Sequence, residues 1–140
     1  MRRLALVLAS AVLLLAACGG GSSSSPEAAK VKEVWTSFFS AKTPVARKSS
    51  MLQDGKKFAS TIHQLASNPL ASQLSAKVSS VTLRGTDTAK VVYSIYLGNT
   101  AALKNVTGYA YKQNGKWVVG YAGLCKLIAL QGSAPPACRS

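Results

Sequence analysis

The sequence predicts an α+β domain, with N-terminal helices packed on a curved antiparallel sheet of about four strands. Three observations carry this. Apolar residues recur at helical spacing between Val31 and Ala66. After about Ala76 the period becomes twofold, which marks strands rather than helices. Turn signals at Gly85-Thr86-Asp87, Gly98-Asn99 and Asn114-Gly115 then divide the second half into consecutive hairpins. Helices first and a meander second place the helices on one face of the sheet. A chain of 140 residues holds one such domain, not two.

Each element has a local reason. Ser25 suits an N-cap, Pro26 the first helical position and Glu27 the first-turn dipole. Val31, Val34, Trp35, Phe38 and Phe39 share one helical face, and this helix is expected to end near Ala41. Thr43-Pro44 restarts a short helical turn through Ser49. Gln53-Asp54-Gly55 is a turn. Phe58, Ile62, Leu65 and Ala66 form another helical face, closed by Asn68-Pro69. Strands are expected over Val78–Arg84, Ala89–Leu97, Val106–Gln113 and Lys116–Tyr121, the last two joined at Asn114-Gly115. The apolar stretch Cys125–Leu130 fits a final strand or a helical turn equally. A sheet curved around the first helix would bury Trp35, Phe39, Phe58, Ile62, Tyr93 and Trp117.

The first residues are read as an export signal rather than as part of the fold. Arg2 and Arg3 precede the apolar run Leu4–Leu15. As a helix that run spans only ~18 Å, well short of the ~30 Å hydrocarbon core. It therefore reads as a signal-peptide core and not as a membrane anchor. Leu15-Ala16-Ala17-Cys18 follows, and resembles the lipobox of bacterial lipoproteins at all four positions. The resemblance implies removal of residues 1–17 and diacylation of Cys18, which becomes the mature N-terminus. Two or more acyl chains anchor stably where one does not. Gly19–Ser25 is Gly and Ser throughout, the composition of a flexible tether. The expected organisation is a lipoprotein signal at 1–17, a lipidated Cys and tether at 18–25, and one domain at 26–140. The expected location is the extracytoplasmic face of the bacterial cell membrane.

Three cysteines leave one odd in an exported chain, and lipidation of Cys18 accounts for it. Cys125 and Cys138 then remain, outside the reducing cytosol, and are expected to form a disulfide. Closing that loop stabilises by roughly 3 kcal/mol in the chain-entropy model. Two thiols and one His without clustering offer no metal site, and no cofactor is expected.

The order Trp35-x-x-Phe38-Phe39, Pro44, Leu52-Gln53-Asp54-Gly55 resembles the start of the mycobacterial low-molecular-weight antigen family of secreted proteins. The end resembles it too, through Asn114-Gly115-Lys116-Trp117-Val118-Val119, Cys125-x-Leu127-x-x-Leu130, Gly132 and Pro136-x-Cys138. The resemblance covers most of residues 30–138. It implies an α+β roll of the cystatin-like and nuclear-transport-factor-two-like kind, with Cys125 paired to Cys138. It carries over no catalytic residue, and lipidation rests on Cys18 alone.

The functional readings are unequal. Rolls of this kind often enclose an apolar cavity, and Trp35, Phe39, Phe58, Tyr93 and Tyr111 are the candidate lining. The plainer role for the same residues is core, since a domain this small needs most of its aromatics inside. Acid–base chemistry has little to draw on: Glu33, Asp54, Asp87 and His63 are the candidates, the two Asp lie in expected turns, and no enzyme activity is expected. The chain carries 17 Lys and Arg against 4 Asp and Glu. Only two of these basic residues fall in the export signal, so the mature domain is itself basic. Such a surface keeps the domain soluble and attracts anionic lipids or wall polymers within about a Debye length. No nucleic-acid motif accompanies it. The expectation is a non-enzymatic binding or interaction domain, or alternatively a carrier or sensor of a small apolar ligand. The protein partner is not specified by any motif.

Overall fold

The computed structural model describes residues 25–139; the signal and lipobox residues, Cys18 included, lie outside them. Helix α1 spans Pro26–Phe38. The Ser25 hydroxyl accepts a hydrogen bond from the Ala28 amide at 3.1 Å, with Pro26 opening the first turn. The helix stops short of Ala41 because the Ala41 amide donates to the Leu74 carbonyl at 3.1 Å, tying the chain to the first strand. Its buried face is Ala28, Val31, Trp35 and Phe38.

A short α2 at Val45–Ser50 follows. Met51–Gln53 then lies parallel to the last strand, with Val119 donating to Met51 and Gln53 donating to Val119, each at 2.8 Å. This single rung covers an otherwise open sheet edge. A 3-10 turn at Gly55–Phe58 leads into α3 at Ala59–Ala66, and a second 3-10 turn at Pro69–Gln73 is capped by the Asn68 side chain.

The sheet has four antiparallel strands in the order β1 (Leu74–Arg84), β2 (Thr88–Leu97), β3 (Thr100–Gln113) and β4 (Lys116–Val119). It curls into a half-barrel with the helices on one side, the expected α+β roll. Strands β1 and β3 begin earlier than expected. Thr100–Leu103 is rich in Ala and weak in β-propensity, yet it pairs with the end of β2. A register shift follows, with Asn105 in the left-handed region at φ 49° and its amide donating to the buried Ser94 hydroxyl at 3.0 Å.

Residue 121 is a correction. Tyr121 was expected to end the fourth strand, but it opens α4, Tyr121–Ala129. The open choice for Cys125–Leu130 resolves as helix through Ala129. The switch occurs at Gly120, whose amide donates to the Tyr109 carbonyl at 2.8 Å. A Cβ there would lie 2.5 Å from that same oxygen, so the chain turns where only Gly fits. Cys125 and Cys138 form the expected disulfide, with Cα atoms 5.8 Å apart. It fastens the tail to α4.

The core is centred on Trp35. Its ring lies 4.8 Å from Tyr93 and 6.0 Å from Phe39, and Phe39 stacks on Tyr93 at 5.9 Å. The indole fits because Gly108 and Gly123 flank it. A Cβ at 108 would approach Trp35 Cη2 to 2.6 Å, and one at 123 would come within 3.3 Å of Trp35 Cζ2. All six residues expected inside, Trp35, Phe39, Phe58, Ile62, Tyr93 and Trp117, are buried. Gly108→Ala is therefore expected to destabilise the fold by about 1–3 kcal/mol through overpacking, read as a lower urea midpoint at unchanged slope.

Candidate functional site

Two features stand apart from ordinary packing. The first is an apolar cavity of about 270 Å3 at the end of the sheet that carries the β2–β3 turn. The Cα partners Leu74 and Leu97 form its floor, with Ala102 of β3 beside them. Ile62 and Leu65 of α3 form one wall, Leu124 and Leu127 of α4 the other, and Phe38 and Phe39 close the inner end. Leu70 and Leu130 stand at the rim, 47% and 55% exposed. They are two of the three exposed large apolar side chains among the described residues, the third being Tyr109. Apolar surface concentrated at one opening makes this cavity the candidate site.

The polar part of this lining is small. Asn68 is already engaged, its Oδ1 accepting from the Leu70 amide at 2.9 Å. Gln131 is exposed. Lys48, from α2, is the only charged lining residue among the described residues, and burial holds its ammonium below the usual lysine range.

The expected aromatic pocket is distributed differently. Trp35, Phe39 and Tyr93 do come together, but they pack on one another as core. The Trp35 indole N–H and the Tyr93 hydroxyl are buried without a hydrogen-bond partner among the described residues, and burial pushes Tyr93 up to about 12. Phe58 stacks on Tyr121 at 5.6 Å, away from that cluster. Tyr111 is half-buried, with its ring against Gly120. Of the five, Phe39 alone reaches the cavity wall. The leucines carry the site instead. The spacing Leu124-x-x-Leu127-x-x-Leu130 was visible in the sequence, and at helical period it places three leucines along one face.

Acid–base candidates are not assembled. Glu33, Asp54, Asp87 and His63 are all exposed and lie in separate parts of the chain, on α1, before the first 3-10 turn, in the β1–β2 turn and on α3. Among the described residues no group of three or more His, Cys, Asp or Glu could hold a metal. No helix among them is long and apolar enough to cross a membrane.

The second feature is Glu27, read from the sequence only as a first-turn acid. Its Oε2 accepts from the Trp117 indole at 2.7 Å and pairs with Lys112 at 3.0 Å, and its Oε1 accepts from Lys30 at 2.9 Å. The Lys112 ammonium also lies 5.3 Å from the centre of the Trp117 ring. One carboxylate thus joins the start of α1 to the β3–β4 hairpin, at the end of the domain opposite the cavity. No spacing rule could find a pair 90 residues apart.

A filled aromatic core, a disulfide-fastened tail and an apolar cavity at one end define a small α+β roll. A family model described as the low molecular weight antigen MTB12, C-terminal domain, matches residues 24–135. The chain belongs to this family. No curated protein matches it.

The Lys30, Trp117 and Lys112 contacts, in that order, lower the Glu27 carboxyl from 4.5 to about 2. A carboxyl whose folded value lies below its unfolded one stabilises fully above the unfolded value, and that stability is lost as pH falls through the folded one. Resistance to urea is therefore expected to decline between pH 4.5 and 2, and Glu27→Gln to flatten that decline. An unchanged slope in the variant would remove Glu27 as its source.

Proposed function

We propose that this is a lipid-anchored protein of the bacterial cell envelope whose domain binds a small apolar ligand and catalyses no reaction. The observation that carries the reading is the leucine-walled cavity of about 270 Å3, open to the surface between Leu70 and Leu130. A leucine, isoleucine and phenylalanine cavity of ~150 Å3 stays dry and takes benzene, so this one suits roughly ten carbons. Membership of a secreted antigen family supports export. The sequence around Cys18 supports anchoring.

The geometry favours such an arrangement. Ser25, where the tether joins the domain, adjoins the Glu27–Trp117 junction. Helix α1 then runs ~18 Å along the sheet to Phe38 at the cavity. An anchor at Cys18 leaves the cavity at the far end of the domain, free to load and unload. The basic surface, with Lys30 and Lys112 at the near end, supports a secondary attraction to anionic lipids or wall polymers.

Two measurements test this reading. Mass spectrometry of the mature protein is expected to show an acylated Cys18; an unacylated N-terminus with full release into the medium would refute the anchor. Native mass spectrometry after gentle extraction is expected to show a co-purifying apolar ligand. Leu65→Trp, which fills the cavity, is expected to remove that ligand while the domain stays folded. Retention of the ligand by a folded Leu65→Trp protein would place it elsewhere.

A further inference from the structure

One charge, that of Lys48, lines the cavity among the described residues. Lys48 lines an otherwise apolar wall and is half-buried. Among the described residues it makes no ion pair, whereas Lys30 and Lys112 both meet Glu27. Its neighbour Arg47, in the same last turn of α2, is exposed, so helix position alone does not place Lys48 against the cavity. A cation set partly out of water without a counterion is unfavourable until an anion joins it. The other polar groups of the lining are the neutral amides of Asn68 and the exposed Gln131, and neither carries a charge that could balance an anion.

Resting on the binding reading above, we infer that the ligand is a single-chain amphiphile with an anionic carboxylate head, its chain among the leucines and its head at Lys48. The cavity holds roughly ten carbons. A longer chain continues over Leu70 and Leu130, whose exposed side chains extend the apolar surface past the opening. One lysine balances one negative charge, which favours a carboxylate over a doubly charged phosphate monoester. The excess of basic residues over the whole chain draws such anions toward the domain and repels cationic amphiphiles.

The test uses the full chain carrying Cys18→Ser, titrated calorimetrically with decanoate, 1-decanol and decyl phosphate below their micellar concentrations. Decanoate is expected to bind roughly tenfold more tightly than decanol, the increment of a charge-assisted contact. Lys48→Met is expected to abolish that difference, and Lys48→Arg to preserve it. Equal affinity for decanoate and decanol, or a preference that survives Lys48→Met, overturns the role of Lys48 but leaves the cavity as a site for neutral ligands. Tighter binding of decyl phosphate than decanoate overturns the choice of head group. Failure of all three ligands to bind, or binding untouched by Leu65→Trp, overturns the cavity reading itself.

Discussion

Trp35 sits where α1, the curled sheet and α4 meet, and its ring fits there because position 108 lacks a Cβ, with Gly123 adding room on the α4 side. The remaining architecture depends on that fit. The indole brings β3 and α4 close to α1, and Tyr93 and Phe39 complete the packing from the sheet and the helix end. A concave sheet filled by its own aromatics has no interior left for a ligand. Empty space is displaced to the end of the roll, where leucines from α3, α4 and the strand ends meet beyond Phe38 and Phe39 without filling the gap. Filled core and open cavity are thus two results of one packing solution.

The two ends of α1 have different physics. Its start is fixed by charge, through a carboxylate shared between two lysines and an indole. Its finish is fixed by burial, with Phe38 and Phe39 inserted at the inner end of the cavity. Acid weakens the first end and leaves the second untouched. The disulfide adds a third restraint, holding the Pro136–Cys138 tail against α4 and so steadying the wall that carries Leu124 and Leu127.

Local signals made most of the fold legible in the sequence. Ser25-Pro26-Glu27 marked the start of α1, alternation marked β2, and Asn114-Gly115 marked the β3–β4 hairpin. The misreadings have local causes as well. Val118-Val119 continued a strand pattern up to Gly120, and nothing nearby showed that the Tyr109 carbonyl would turn the chain into α4. The early part of β3 is Ala-rich and holds as strand only because β2 pairs with it. The site was less legible than the fold. Aromatics drew attention because they are large, and their size is the reason they became core. The cavity is assembled from leucines of five separate segments, and a single half-buried lysine on a six-residue helix carries no sequence pattern.

The proposed site lies among the leucines at the end of the roll and not in the Trp35–Tyr93 cluster. Methyl and indole resonances followed by NMR during a decanoate titration test it most directly. Saturable shifts are expected at Leu65, Leu74, Leu124 and Leu127, with the Trp35 and Trp117 indoles unmoved. Shifts centred on Trp35 and Tyr93, or none at any methyl, would contradict this placement.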